Sequence, residues 1–549
     1  MRKTRTLFAG ALATVAVVAG IASSPAVAAG GPTVTAAPPT VVAVHPDAGV
    51  LAGGTRLTVE ATNLGDVSAV LFGGTPGTNV TVTSDSSLMV TAPPHPAGLV
   101  DVTVVSAGGP SRRSAEDRFT YSTLTPKAAP VPADAASTDP DLGALTCPVP
   151  GWCLATGEYI DPAQRGPGAL EILSDGVWTA VRAPLPAGTD PIRSEYVSLP
   201  GTACPAPGTC LAVGAYIGND GPAVPLIESL TGGVWTPLVP PLPSDADQSG
   251  DVGAQLVSVA CPTRQWCVAV GTYSGTDGSG HGLVETYSHG LWTAARSATP
   301  AGTGTGGRLM AVACTAARSC VTVGDYANPG EAGHGLIDTL SGNVWTPLAA
   351  PTAPGSAGAG TVGLLSCPVP GWCTAIGGLR AYTLSGGTWT VSTMPLPADR
   401  YTGGGGLKSL ACPAPRSCVA VGQYSSKAVS RVLGRGRALI ETLINGEWVT
   451  SGAAVPYASD LWSVACATPG SCVAVGMQNF PGSPNARPTE GLIETLNSGA
   501  WSYGNAPVPA DGSTGFVWTW LRRVSCPRGA CVAIGTYIGS GGLIERWHI

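Results

Sequence analysis

SVACPTRQWCVAVGTY, residues 258–273, holds two cysteines five residues apart between two apolar runs. The arrangement recurs upstream as TACPAPGTCLAVGAY and downstream as LACPAPRSCVAVGQY. All sixteen cysteines fall into such pairs: Cys147/Cys153, Cys204/Cys210, Cys261/Cys267, Cys314/Cys320, Cys367/Cys373, Cys412/Cys418, Cys466/Cys472 and Cys526/Cys531. Successive first cysteines stand 45 to 60 residues apart. A period in the fifties is too long for a helical hairpin repeat and fits a four-stranded propeller blade. Within one copy, LVSVAC ends at the first cysteine and CVAVGTY begins at the second. GLVETY follows a glycine-rich stretch, and the turn SHG leads into LWTAA. Equivalent turns are SDG before Val177-Trp178, TGG before Val234-Trp235 and NG before Glu447-Trp448. Such Asn, Asp and Gly pairs are what two-residue hairpins require. Each copy therefore reads as a meander of four strands, with a disulfide stapling the turn between the first and second.

Composition agrees with that reading. The chain has 549 residues, is 11% charged and is rich in glycine and proline, as suits many short strands joined by turns. A net charge of −6 argues against nucleic acid as a partner, since duplex binding rests on clustered Lys and Arg. The start is basic (Arg2, Lys3, Arg5), then apolar, and ends in Ala26-Val27-Ala28, the pattern of a secretory signal cut after Ala28. No later segment has the roughly 18 uncharged apolar residues that a span needs. Export into an oxidising compartment makes the sixteen cysteines local disulfides. Metal binding is the rival, but it needs two pairs to converge, and no histidine stands at ligand spacing.

The last copy ends GGLIERWHI, a third strand with no fourth. Residues 124–134, LTPKAAPVPAD, match WSYGNAPVPAD at 501–511 and can supply it. Pro126 is tolerated in an outermost strand. The expected fold is thus all-β: an immunoglobulin-like β-sandwich followed by a disulfide-stapled, eight-bladed β-propeller, its last blade completed by an N-terminal strand. The expected boundaries are 1–28 for the signal peptide, 29–37 for a linker, 38–122 for the sandwich and 123–549 for the ring.

Two resemblances bear on this. The repeats resemble a group of secreted actinobacterial tandem-repeat proteins with the pattern S-C-x5-C-V-A-V-G … L-I-E-T-L-x-x-G-x-W-T, a group with no assigned activity. Residues 38–122 resemble the IPT/TIG immunoglobulin-like family, at Pro46 and Gly49, Gly53-Gly54-Thr55, Asn63-Leu64-Gly65, Phe72-Gly73-Gly74, Ser84-Asp85, Ala92-Pro93 and Phe119-Thr120-Tyr121. Alternating segments such as RLTVEAT and DVTVVS suit a half-buried sandwich. The resemblance implies a spacer or a domain that contacts protein or glycan. The basic loops of its DNA-binding members are absent.

Catalytic signals are weak. An acid recurs in the third strand, at Glu171, Glu228, Glu285, Asp338, Glu441, Glu494 and Glu545, with Tyr382 in its place in the fifth copy. Catalytic acids need unlike environments, so repeated ones are read as hydrogen-bonding groups between blades or at the rim. The GxY tyrosines (Tyr159, Tyr216, Tyr273, Tyr326, Tyr424, Tyr537) follow the same logic. SDGVW superficially resembles a sialidase aspartate box, but the spacing is wrong and arginines are sparse in the strands. His281 and His334 occupy matching positions and are read as solvated loop residues before a metal pair. No nucleophile elbow, phosphate loop or zinc motif appears, and no cofactor is implied. The expected protein is a secreted, non-catalytic binder or scaffold for an extracellular protein or glycan, and a monomer; the alternative is a glycan-active hydrolase or lyase. The loop between second and third strands varies most, from almost nothing in the fifth copy (CTAIGG to LRAYTL) to a long basic insert in the sixth. Ligand contact is expected on that sixth loop, at Lys427, Arg431, Arg435 and Arg437. The opposite face offers Trp152, Trp266 and Trp372, which stack on sugars if exposed and otherwise pack on the disulfides.

Overall fold

The computed structural model describes residues 37–548 except 46–47, 52, 115, 123, 125, 190–193, 219–220, 248–252, 305, 328–332, 353–359, 427–435, 454–457, 480–488, 498, 508, 510–517 and 538–540. The leader expected over 1–28 lies outside them, as do Lys427, Arg431 and Arg435. The described residues are all-β apart from one short 3-10 turn at Pro527–Gly529.

The N-terminal module is two sheets around one core. The first orders Thr40–His45, Arg56–Thr62, Ser87–Thr91 and Thr78–Ser84. The second orders Ala48–Val50, Arg118–Ser122, Gly98–Ser106, Val67–Phe72 and Thr75–Pro76. In RLTVEAT, Leu57, Val59 and Ala61 are buried and their neighbours are not, as strand alternation requires. They meet Phe72, Phe119 and Tyr121 of the second sheet in the core. The Tyr121 hydroxyl donates to the Pro93 carbonyl at 2.8 Å, which ties a loop to the core. A Cβ on Gly49 would collide with Thr55 and Phe119, so that position has room only for glycine.

The repeat region forms eight four-stranded antiparallel sheets, each a meander except the last. The third shows the rule, with Ala254–Thr263, Trp266–Ser274, Gly280–Ser288 and Leu291–Arg296 in order. Thr263 pairs with Trp266 across a two-residue turn, and the Cys261–Cys267 bridge closes that hairpin. Ser288 pairs with Leu291 around His289 and Gly290, at φ 50° and 93°. Two positive φ values are what the twist-matched hairpin turn needs. The second strand, WCVAVG, is buried along its length because both faces of the sheet are covered. Its glycine has a specific cause. The first strand bulges between Leu256 and Ser258, which pushes the Gln255 carbonyl to where a Cβ on Gly271 would stand.

All sixteen cysteines are paired, and every bridge is local: Cys147–Cys153, Cys204–Cys210, Cys261–Cys267, Cys314–Cys320, Cys367–Cys373, Cys412–Cys418, Cys466–Cys472 and Cys526–Cys531. The second cysteine of each bridge is the more deeply buried, which the spacing alone did not announce. The second cysteine of each pair opens the covered second strand. Cys153, Cys210, Cys267, Cys320, Cys373, Cys418, Cys472 and Cys531 are therefore buried, each only 1–3% exposed. Expected as staples of the hairpin turn, these eight are core residues as well. Cys153, for example, packs with Leu142 and Ala155, Cys418 with Ile376 and Ala420, and Cys531 with Val524 and Ala533. Cys320, Cys373 and Cys472 sit in the corresponding clusters of their own sheets. They are structural positions with no surface to offer a ligand.

Neighbouring sheets interlock. Ser258 Oγ accepts the Val312 N–H of the next sheet at 3.2 Å; Ser409 and Ser463 do the same for Val464 and Val524 at 3.1 and 3.2 Å. The first strand of each sheet touches the first strand of the next.

The last sheet takes its fourth strand from far upstream. Its order is Lys127–Ala128, Gly541–His548, Ala530–Tyr537, Thr519–Ser525, with Lys127 opposite Ile544 and Ala128 opposite Leu543. The Ala129 N–H adds a bond to the Gly542 carbonyl at 2.7 Å. Val532, Ile534 and Ile544 of this sheet share a buried cluster with Leu142, Ala155 and Leu173 of the first sheet.

Candidate functional site

The recurrent acids are not rim groups. Glu171, Glu228, Glu285, Asp338, Glu441, Glu494 and Glu545 are all fully buried in their third strands. Small cross-strand neighbours make the space: Glu171 lies between Ala155 and Ala180, and Glu285 between Ala269 and Ala294. Both carboxyl oxygens of Glu171, Glu228, Glu285 and Glu545 lack a hydrogen-bond partner among the described residues. Glu441 receives the Thr450 hydroxyl at 2.8 Å. The expected hydrogen-bonding role is therefore corrected for these four. Burial, which penalises the charged form, raises Glu228 and Glu285 to about 8 and Glu171 and Glu545 well above the ordinary range. They are neutral acids packed between sheets.

Three of the six tyrosines bridge to a loop aspartate. Tyr159, Tyr273 and Tyr424 donate to Asp134, Asp245 and Asp399 at 2.6, 2.8 and 3.0 Å. Each aspartate also meets an arginine: Arg182 at 2.8 Å, Arg296 at 3.0 Å and Arg437 at 3.6 Å. The Tyr273 hydrogen bond, opposed by partial burial and joined by Arg296, holds Asp245 below the usual carboxylate range. Asp134 belongs to the upstream APVPAD segment, so it ties that segment to the first sheet as the other loops are tied to theirs. Arg437, the one described member of the expected basic loop contact, is engaged in this structural triad.

Burial bears on two further readings, the tryptophans and the paired histidines. Trp266 and Trp372 are buried at 6% and 7% exposure and pack in the sheet clusters, and Trp152 is half-buried against Leu154 and Cys210. Trp266 and Trp372 fill space beside the bridges and do not present sugar-stacking faces. His281 is buried, with Nε2 2.9 Å from Asp277 Oδ1, and His334 stacks on Tyr326 with ring centroids 5.3 Å apart. Neither is a solvated loop residue in the sense expected. No group of three metal-ligating side chains occurs among the described residues.

The position that departs most from the repeat is the single-residue bulge in the first strands of the third, fourth, sixth, seventh and eighth sheets. The extra residue there is Val257, Met310, Lys408, Trp462 or Arg522, different every time. Met310, Lys408 and Trp462 converge on one cavity of about 470 Å³, with Leu364, Leu407 and Arg523 beside them. First strands of five successive sheets thus contribute to one site. Lys408 Nζ lies 2.5 Å from Asp460 Oδ2 and 5.8 Å over the Trp462 ring. Arg308 pairs with Asp325 at 3.0 Å, and Arg522 with Asp141 at 3.0 Å. Arg523 takes the place that Ser258, Ser409 and Ser463 hold elsewhere, and its hydrogen bond among the described residues runs to the Arg522 carbonyl at 3.1 Å. It is open to the solvent of the cavity yet crowded by protein. That burial, with the charge of Arg522 beside it, pushes the guanidinium below its ordinary range.

A second cavity of about 500 Å³ adjoins the first and shares Thr361 and Gly378 with it. It exists because the fifth copy has almost no loop between its second and third strands: Gly377 pairs with Arg380 across a tight turn. The missing loop is visible in the sequence, whereas the sparse strand arginines give no hint that one of them lines a cavity. The signal for the cavity is the residue before S-V-A-C, where the repeat stops repeating.

Solved structures give remote likenesses. A protein of unknown function from Bacteroides thetaiotaomicron is 12% identical, with TM-score 0.26 over 93% of this chain and 98% of that one. The Hadza microbial sialidase Hz136 is 12% identical, with TM-score 0.38 over 94% and 97%. The WD40 domain of SCAP from fission yeast is 8% identical, with TM-score 0.42 over 77% and 98%. No curated protein matches the chain. Residues 39–121, the two-sheet module built around Phe72, Phe119 and Tyr121, match the IPT/TIG domain family.

Proposed function

We propose that the chain is a secreted, non-catalytic binding protein that recognises an extracellular protein or glycan through an eight-bladed propeller spanning 123–549, with the module at 38–122 as a second contact surface or spacer. Eight disulfides fit an extracellular protein, and no helix of the described residues is long and apolar enough to cross a membrane. The proposal includes removal of a leader after Ala28 and a monomeric state. Ring closure is supported by a repeated ion pair. Lys408 of the sixth sheet reaches Asp460 of the seventh, and Arg522 of the eighth reaches Asp141 of the first, from matching bulges to matching positions.

One observation carries the functional reading. The residues that repeat are structural, and three of those that vary, Met310, Lys408 and Trp462, line one cavity together with Arg523. The repeated acids sit in like environments, without the split that acid–base work needs. Pockets of roughly 300–1,000 Å³ with a few placed polar groups are the usual form of a ligand site. The test is a glycan array and a panel of extracellular proteins, run on the full chain beside glycoside hydrolase and lyase substrates. Binding without turnover is the expected result. Turnover of any glycan would replace this reading with that of a glycan-active enzyme.

A further inference from the structure

We infer that the cavity at the first strands takes a carboxylated sugar, with Arg523 pairing with the carboxylate and Trp462 covering a face of the ring. This rests on the binding reading above and names the chemistry of its ligand. Charge is the first ground. Three cations near the cavity are already matched, Arg308 by Asp325, Lys408 by Asp460 and Arg522 by Asp141. Arg523 has no carboxylate within ion-pair distance among the described residues. Arg523 is exposed to the cavity and stands where other copies carry a serine that bonds the next sheet, so its guanidinium is left facing the cavity. The planar fork of a guanidinium matches a carboxylate in bidentate geometry.

The second ground is the count of charges. With Lys408 neutralised, the cavity offers one net positive charge, which suits a monoanionic carboxylate better than a phosphate dianion. The third is the rest of the lining. Met310 is 39% exposed there, and Leu364 and the half-buried Trp462 add apolar surface. Lys408 Nζ stands over one face of the Trp462 indole, 5.8 Å from its centroid. A pyranose has both an apolar ring face and, in a uronic acid, the carboxylate. The neighbouring cavity beside Gly378 and Arg380 leaves space for the next sugar of a chain.

The experiment is calorimetric titration of the full-length protein with glucuronate, glucose and glucose 6-phosphate. Saturable binding of glucuronate is expected, none of glucose, and weaker binding of the phosphate. Arg523→Gln and Trp462→Ala should each weaken glucuronate binding at least tenfold, at unchanged melting temperature, while Arg523→Lys keeps part of it. The assignment is overturned by no saturable glucuronate binding, by glucuronate binding indifferent to Arg523→Gln, or by tighter binding of glucose 6-phosphate. Array hits that survive Arg523→Gln would leave the general binding reading standing and remove this one.

Discussion

A buried glutamate whose two oxygens meet no donor is tolerable only as the neutral acid. Glu228 and Glu285 are in that position, with folded-state values raised to about 8 against an ordinary 4.5. The sign follows directly. Their contribution to stability is fully present below about pH 4.5 and is lost as pH rises toward about 8, because the unfolded chain gives up its proton first. The melting temperature should therefore fall across that window. Glu228→Gln, which cannot ionise, should melt about 1–3 °C higher than the parent at pH 9 and close to it at pH 4.5, read by calorimetry. A flat pH profile for both proteins would contradict the neutral-acid assignment. The acids were legible in the sequence as a repeat, but their burial was not. A polar residue in a strand ordinarily marks the solvent face, and here both faces of the sheet are covered by neighbours.

Strands, turns and bridges could be read more fully. The alternation in the N-terminal module, the Asn/Asp/Gly turns and the cysteine spacing all act locally, so adjacent residues carry the information. What the sequence withheld at this scale was the bulge before Ser258, since its cause is the closeness of two strands and its trace is a glycine fourteen residues after the bulged residue Val257. The bridges are local staples. Replacing Cys261 and Cys267 together by alanine should cost about 2 kcal/mol, on the chain-entropy account of a short loop, and leave the other sheets folded. Denaturant unfolding measures the loss, and peptide mapping of the parent should recover eight local bridges. A bridge joining two sheets would refute the hairpin assignment.

At the scale of the molecule, the APVPAD match announced which segment completes the last sheet, because a repeat out of place betrays its partner. The cavity could not be announced that way. It is assembled from five sheets, and no local pattern relates Met310 to Arg523. Closure has its own test. A chain beginning at Asp141 loses the Lys127–Ile544 pairing, the Ala129 bond and the Asp134–Tyr159 tie. It should melt several degrees lower than a chain beginning at Thr123, with greater aggregation from the exposed strand edge. Equal melting temperatures for the two would argue against a closed ring.

The strand that completes the last sheet is also the tether of the N-terminal module. Tension between that module and the repeats meets the buried Leu124, which packs with Leu521 and Leu543, and then a pairing only two residues long, Lys127–Ala128. Each of the other seven sheets holds its four strands by longer ladders and a covalent staple within its own stretch of chain. Among the described residues of the repeat region this pairing is the shortest ladder that holds a strand to its sheet, and under load the protein is expected to yield there. It would part at the eighth sheet, and release the module as a longer leash, while the other seven sheets keep their shape.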